Sequence, residues 1–193
     1  MTIQTIIRPA TINDWPYIDS LRKREGNALG FIPKDTYLSC LSRIPIDKRR
    51  RWEYQILNIA TDNDDPTGYC YVSFASMVAK IIQIVVQEDA RRWHRALLLE
   101  TSVRDEARRR GCSGISCRVA IDLESNFFWR SIGYTPIRQV ISTWLNQKDS
   151  KCKRPLWVYY SPLELPMFAN SHLYIPPYFS RRQQRIEFQR RAG

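Results

Sequence analysis

Ile84-Val85-Val86-Gln87-Glu88-Asp89-Ala90-Arg91-Arg92-Trp93-His94-Arg95-Ala96-Leu97-Leu98-Leu99-Glu100 is the stretch on which the reading of this chain turns. Its opening residues close an apolar, β-branched run, Ile81 to Val86, with strand composition. From Arg92 to Arg110 the apolar positions Leu98, Val103 and Ala107 fall at helical spacing, and Gly111 supplies the stop. The stretch therefore predicts a strand, an open loop and a helix start. The first turn of a helix has unpaired N–H groups and the positive end of the dipole, an arrangement that receives anions. Arg91, Arg92 and Arg95 crowd that end, where cations are electrostatically misplaced unless an anion joins them. A pyrophosphate suits such a place.

Working outward, Thr5 to Arg8 predicts a first strand, and Thr11 with Asp14 three residues later is a capping signal opening a helix to about Gly26. A second short helix is expected over Asp35 to Ser42. Tyr54 to Ala60 and Tyr69 to Phe74 have strand composition, and Asp62 to Gly68 between them reads as the turn of an antiparallel hairpin. Downstream come a strand at Gly114 to Ala120, a helix at Glu124 to Ile132, and strands at Tyr134 to Trp144 and Leu156 to Tyr160. That order requires an α/β chain with a mixed sheet and helices packed on it; the central hairpin disfavours a doubly wound parallel sheet. Beyond Pro162 the composition shifts to Pro, Tyr, Phe and Arg. Two units are expected: a domain over residues 1–163 and a basic, aromatic extension over 164–193.

The 193 residues, 44% hydrophobic and 25% charged, are enough for one domain with a real core. The longest apolar runs are broken at Gln83 and Gln87, far short of the roughly 20 residues of a membrane span, so no membrane association is expected. With no signal-like N-terminus, the cytoplasm is the expected compartment. Five scattered cysteines, none in a CxxC pair, predict free thiols rather than disulfides or a metal site. The excess of 30 Lys+Arg over 19 Asp+Glu, net +11, predicts a polyanionic partner: a nucleic acid, an anionic cofactor or an acidic protein.

Three pieces then carry a resemblance. Ile7-Arg8-Pro9-Ala10-Thr11-Ile12-Asn13-Asp14 looks like an opening strand and helix start; Arg91 to Ala96 falls where a R/Q-x-x-G-x-G/A loop is found; Phe128-Trp129-Arg130-Ser131-Ile132-Gly133-Tyr134 looks like a F-Y-x-x-x-G-F close. In this order, over Ile6 to Leu163, they resemble the GNAT superfamily of acyl-CoA-dependent N-acyltransferases. The resemblance implies a mostly antiparallel sheet splayed between its fourth and fifth strands, helices on both faces, and pantetheine lying in the gap. It places Val85 and Val86 on pantetheine, and Arg91, Arg92, Trp93, His94, Arg95 and Ala96 around the pyrophosphate. Asp122 and Trp129 stand where the family has a cofactor-side Asn and a Tyr that protonates the departing thiolate.

The departures are chemical. His94 replaces the loop's middle Gly, whose lack of a side chain lets backbone approach phosphate. An indole cannot serve as the acid that a Tyr would be, and Gln83, near a position where some relatives hold a basic Glu, cannot accept a proton. Proton handling then falls to Tyr134, His94 or Cys117, with Tyr69 and Tyr71 also candidates; for the tyrosines packing is the competing reading, and for Cys117 a small core residue. The expected co-substrate is acetyl-CoA, and the expected acceptor is an amine of unknown identity on a nucleic acid or an acidic protein. Two other readings stay open: a nucleic-acid-modifying enzyme similar to the Mom-type phage enzymes, acting on a base amine, and a GNAT-fold binding module without transferase activity. Either a monomer or a homodimer fits.

Overall fold

The computed structural model describes residues 4–43, 55–74, 76–91, 94–142 and 154–163. Along the chain run β1 (Thr5–Pro9), α1 (Trp15–Arg24), α2 (Lys34–Ser42), β2 (Gln55–Asp62), β3 (Asp65–Ser73), β4 (Val78–Val86), α3 (Arg95–Arg109), β5 (Gly114–Ala120), α4 (Ser125–Ser131), β6 (Thr135–Ile141) and β7 (Pro155–Pro162). The strands form one sheet in the order β1-β2-β3-β4-β5-β7-β6, antiparallel at every step except the parallel pair β4 and β5. This is the expected mixed sheet. The extension 164–193, the basic run 48–51 and the Arg92-Trp93 pair lie outside the described residues.

The expected cap is built as its spacing implies. The Thr11 N–H donates to Asp14 Oδ2 at 2.7 Å, and Arg8 grips both Asp14 oxygens at 2.8 Å. A 3-10 turn over Ile12–Asp14 precedes α1, which carries Pro16 in its first turn where a missing N–H costs nothing. The hairpin turn is tighter than the expected Asp62 to Gly68. Only Asn63 and Asp64 make it, with φ of 47° and 74°, so Asp65 to Gly68 already belong to β3. Asn and Asp tolerate this left-handed backbone, and two such residues match the twist of the flanking strands. Pro66 is accommodated because the ladder is irregular there, at Ala60/Thr61.

Both faces of the sheet carry core. Toward α3 and α4 the strands point Cys70, Val72, Ala79, Ile81, Val86 and Ile115, which share a cluster with Leu99 and Val103 of α3; toward α1 and α2 they point Leu57, Tyr69, Tyr71 and Val85, which share a cluster with Ile18, Leu21 and Tyr37. β4 serves both by a change of parity. Ala79 and Ile81 face α3, and so do Ile84 and Val86, while Gln83 and Val85 face the other way. The inversion comes from a bulge: Gln83 pairs with Tyr71 and Ile81 with Val72, so Ile82 is left over between them. The parallel pairing with β5 also stops there, its four pairs running from Val78↔Gly114 to Ile81↔Cys117. Beyond the bulge β4 and β5 part, as the resemblance implies.

The helix after β4 starts later than its spacing predicts. α3 begins at Arg95 because His94, its N-cap, sits at φ 61°, ψ 6°, which no helix can run through. Similarly, β6 begins at Thr135, since Gly133 turns at φ 87° and Tyr134 stays in the core.

Candidate functional site

The parting of β4 from β5 opens a cleft of about 290 Å³. Ile82, Ile84 and Val86 form one wall, Cys117 and Val119 the other; Phe128 and Trp129 of α4 and Ala28 to Gly30 of the α1–α2 loop line it too. Arg91 and Ala96 stand at the end nearest the α3 N-terminus.

The backbone of β4 has a definite orientation here. Gln87 N–H donates to Thr67 O at 3.0 Å, and backbone direction alternates along a strand, so Val85 spends its groups on its β3 partner Tyr69. Ile84 and Val86 turn theirs toward the gap. Val85, expected to meet a ligand in the gap, does not face it: its side chain is buried against α1 and α2 and its main chain is paired, so the strand positions whose backbone faces the gap are Ile84 and Val86. The Val86 carbonyl accepts from Arg91 Nε at 3.1 Å, and Arg91 also pairs with Glu25 at 2.6 Å while remaining half exposed.

The arginines divide by environment. Arg95 is buried at 4% exposure; its Nε donates to Asp62 Oδ2 at 2.7 Å and its Nη1 to Ala90 O at 3.0 Å, with Nη2 also on Asp62. The Arg95 guanidinium ties α3 to the end of β2 and is not free to meet an anion; its helix-start backbone and that of Ala96 are what this turn presents. His94 is exposed. Its left-handed backbone is one that glycine adopts freely and an L-residue only with strain.

On the other wall, Trp129 is buried, edge-on to Phe128 at 5.2 Å and to Tyr134 at 4.9 Å between ring centroids. Tyr134 is 2% exposed and donates its hydroxyl to Glu100 Oε1 at 2.8 Å, which Arg104 also reaches at 2.7 Å. Burial and then the Glu100 carboxylate push the Tyr134 hydroxyl pKa up, so this group holds its proton, and it does not line the cleft. Cys117 does line it, at the last β4–β5 pair, and burial holds its thiol well above the ordinary value. Asp122 lies outside, exposed and paired with Arg154 at 2.7 Å. The structure thus brings together Val86, Arg91, Ala96, Cys117 and Trp129, and leaves Tyr134 and Asp122 apart from the cleft.

Two groups near the site, Tyr37 and Asn126, escaped the sequence reading, and Gln83 was read there only as a group that takes no proton. Gln83 Oε1 accepts from Tyr69 Oη at 2.9 Å and from Tyr37 Oη, and its Nε2 donates to Gly30 O at 2.9 Å, tying the α1–α2 loop to β4. Burial pushes the Tyr37 hydroxyl up to about 12. Asn126, not Asp122, clamps the β5–α4 corner: its Nδ2 donates to Ala120 O at 2.8 Å and Leu123 O at 2.6 Å, and its Oδ1 accepts from Tyr159 Oη at 3.0 Å. Its preference for helix starts was the available signal. Tyr37, 46 residues from Gln83, gave none.

No family model matches the sequence, and none of the curated proteins is similar enough to match. Solved structures do match. The ribosomal-protein-S18-alanine N-acetyltransferase of Escherichia coli superposes with a TM-score of 0.65 at 16% identity, over 89% of this chain and 100% of that one. The ribosomal-protein-alanine N-acetyltransferase of Brucella melitensis gives 0.65 at 16%, over 82% and 99%. The fold is that of the GNAT N-acetyltransferases. A further GNAT-fold neighbour, yncA of Salmonella typhimurium, was solved with its cofactor acetyl-CoA and matches at 0.65 and 16%, over 83% and 94%. Among the described residues no helix is long and apolar enough to cross a membrane, and no group of three or more His, Cys, Asp or Glu is placed to hold a metal.

Proposed function

We propose that this GNAT-fold chain is an N-acyltransferase that takes acetyl-CoA and an amine into one complex and joins them by direct attack. The observation that carries the proposal is the parted ladder. Past Ile81↔Cys117, β4 turns the backbone of Ile84 and Val86 to an apolar-walled gap, which ends at a helix start with Arg91 beside it. An amide-bearing, extended chain with a charged end suits that gap: hydrogen bonds along β4, apolar contact with Val119 and Phe128, and phosphates toward Ala96 and Arg91. A solved neighbour of this fold holds acetyl-CoA, which supports the choice of co-substrate.

The bound thioester supplies the acyl group; the amine nitrogen bonds to its carbonyl carbon, the carbon–sulfur bond breaks, and amide and free thiol form as one proton leaves the nitrogen. The protein needs no nucleophile for this. The Cys117 thiol, kept protonated by burial, is a wall of the cleft rather than an attacking group. An N–H of β4 facing the gap is placed to stabilise a developing oxyanion. Gln83 is occupied on all sides, so it positions the loop and takes no proton. The acceptor proton passes to solvent water, and solvent water returns one to the departing thiolate.

Calorimetric titration of the full chain with acetyl-CoA tests the reading. Micromolar binding is expected, weakened at least tenfold in Arg91→Ala; absence of binding by the native chain overturns it in favour of a GNAT-fold binding module.

A further inference from the structure

The sheet's two halves differ on the face away from α3. Over β2 and β3 that face is covered by α1 and α2, and the core there draws on Leu57, Tyr69, Tyr71 and Val85, with no member from β5, β6 or β7. On the other half, cross-strand pairing sets a row of cations. Arg118 of β5 pairs with Val158 of β7, which pairs in turn with Arg138 of β6, so both arginines stand on one face with one strand between them. Lys80 of β4 pairs with Ser116, two residues before Arg118 on the same face. All three cations are exposed, and none has a carboxylate partner among the described residues. They feel one another: burial first, then Arg118 and Arg138, hold the Lys80 ammonium pKa below its ordinary value. Like charges kept together without partners cost stability, which an anionic ligand relieves. Arg118 also lines the cleft, so the row leads to the gap where β4 and β5 part.

The row's dimensions and surroundings choose among anions. Strands lie about 4.8 Å apart, so the arginine Cα atoms are about 10 Å apart across the sheet; alternate residues of an extended peptide repeat every ~7 Å, within reach of such long side chains. A single-stranded nucleic acid would need aromatic faces for its bases to stack on. Among the described residues, the strand positions facing the same way include Ser116, Thr135, Val140, Leu156 and Val158, and the ring among them, Tyr160, is 6% exposed with its hydroxyl on Ser113 O. Those strand positions offer charge without stacking.

We propose that Lys80, Arg118 and Arg138 form the docking row for an acidic polypeptide segment that carries the acceptor amine into the cleft. The inference rests on the acyltransferase reading for the word acceptor; the docking itself does not. The test uses the full chain and three fluorescein-labelled probes of one length: an Ala-Glu-Asp peptide, its Ala-Gln-Asn counterpart, and oligo-dT. Expected is salt-sensitive binding of the acidic peptide, at least tenfold tighter than its neutral counterpart and weakened at least tenfold in Lys80→Gln/Arg138→Gln, whose residues do not line the cleft. Oligo-dT binding, wherever it arises, should not change with that pair. Equal binding of the peptides, an unchanged acidic-peptide affinity in the double variant, or a loss confined to oligo-dT overturns the proposal. Acetyl-CoA titration of the same variant separates the two readings, since failure there with intact peptide docking counts against the acyltransferase alone.

Discussion

Replacing His94 with Gly should stabilise this protein. The residue caps α3 at φ 61°, a conformation that costs an L-residue roughly 1–2 kcal/mol and glycine nothing. Its imidazole is exposed and makes no hydrogen bond or ion pair among the described residues, so little burial is lost. Against the gain stands the greater freedom of glycine in the unfolded chain, about 0.5–1 kcal/mol. The difference is a net gain of up to about 1.5 kcal/mol, which for a chain of this size raises Tm by up to about 6 °C. Calorimetric melting of the native chain and His94→Gly, with and without acetyl-CoA, reads both consequences, because a ligand that binds only the folded state adds its own shift. Removing the side chain beside the helix start should leave that ligand shift equal or larger. A lower Tm for His94→Gly would refute the strain argument, since it would mean that the imidazole supplies contacts worth more than the backbone cost. A smaller ligand shift would refute the view that the bend, rather than the ring, is what the loop requires.

Arg95→Ala should cost about 3 kcal/mol in urea denaturation, because Asp62 at the end of β2 then keeps its charge with only the Thr5 hydroxyl to answer it; a loss below 1 kcal/mol would contradict the structural role given to this guanidinium. Gly68→Ala should be destabilising by about 1–3 kcal/mol, since a Cβ there would lie 2.6 Å from Val85 O and 3.1 Å from Val86 Cγ2, forcing β4 to move; full retention of stability and acetyl-CoA affinity would show the strands are not so close. Acid should weaken the fold through Asp14. Its hydrogen bond from Arg8 holds the carboxyl below the ordinary range, so the stabilisation is complete above the unfolded value near 4 and disappears as pH falls through the folded one. Melting from pH 6 to pH 3 should fall less steeply for Asp14→Asn than for the native chain.

What the sequence disclosed was what near neighbours decide. The Thr11–Asp14 cap, the strands from Ile81 and Gly114, and the helix over Leu98, Val103 and Ala107 follow from spacing and local preference, and each is present. Even the splay was anticipated, though by resemblance rather than by any residue. The misses are long-range or conformational. Asn63 and Asp64 could have been recognised as a two-residue turn, but the surrounding Asp62 to Gly68 is uniformly turn-like and masks where the strands end. The start of α3 depends on a single torsion at His94. Tyr134 was a reasonable proton donor on paper; that its hydroxyl belongs to Glu100 follows only from the packing of α3 over β5. The bulge at Ile82 left no mark, for Ile81-Ile82 reads as ordinary strand.

That bulge and the four-pair seam beside it give the molecule a mechanical character. Two plates, β1–β4 and β5-β7-β6, are sewn along a short edge and free along the rest, like a page torn partway from its spine. On the acyltransferase reading, a ligand in the tear would stand in for a missing strand, completing the sheet with atoms that are not its own. Occupancy would then register as cohesion: the filled molecule would resist being pulled apart along β4 and β5, and the departure of product would return it to a half-finished seam.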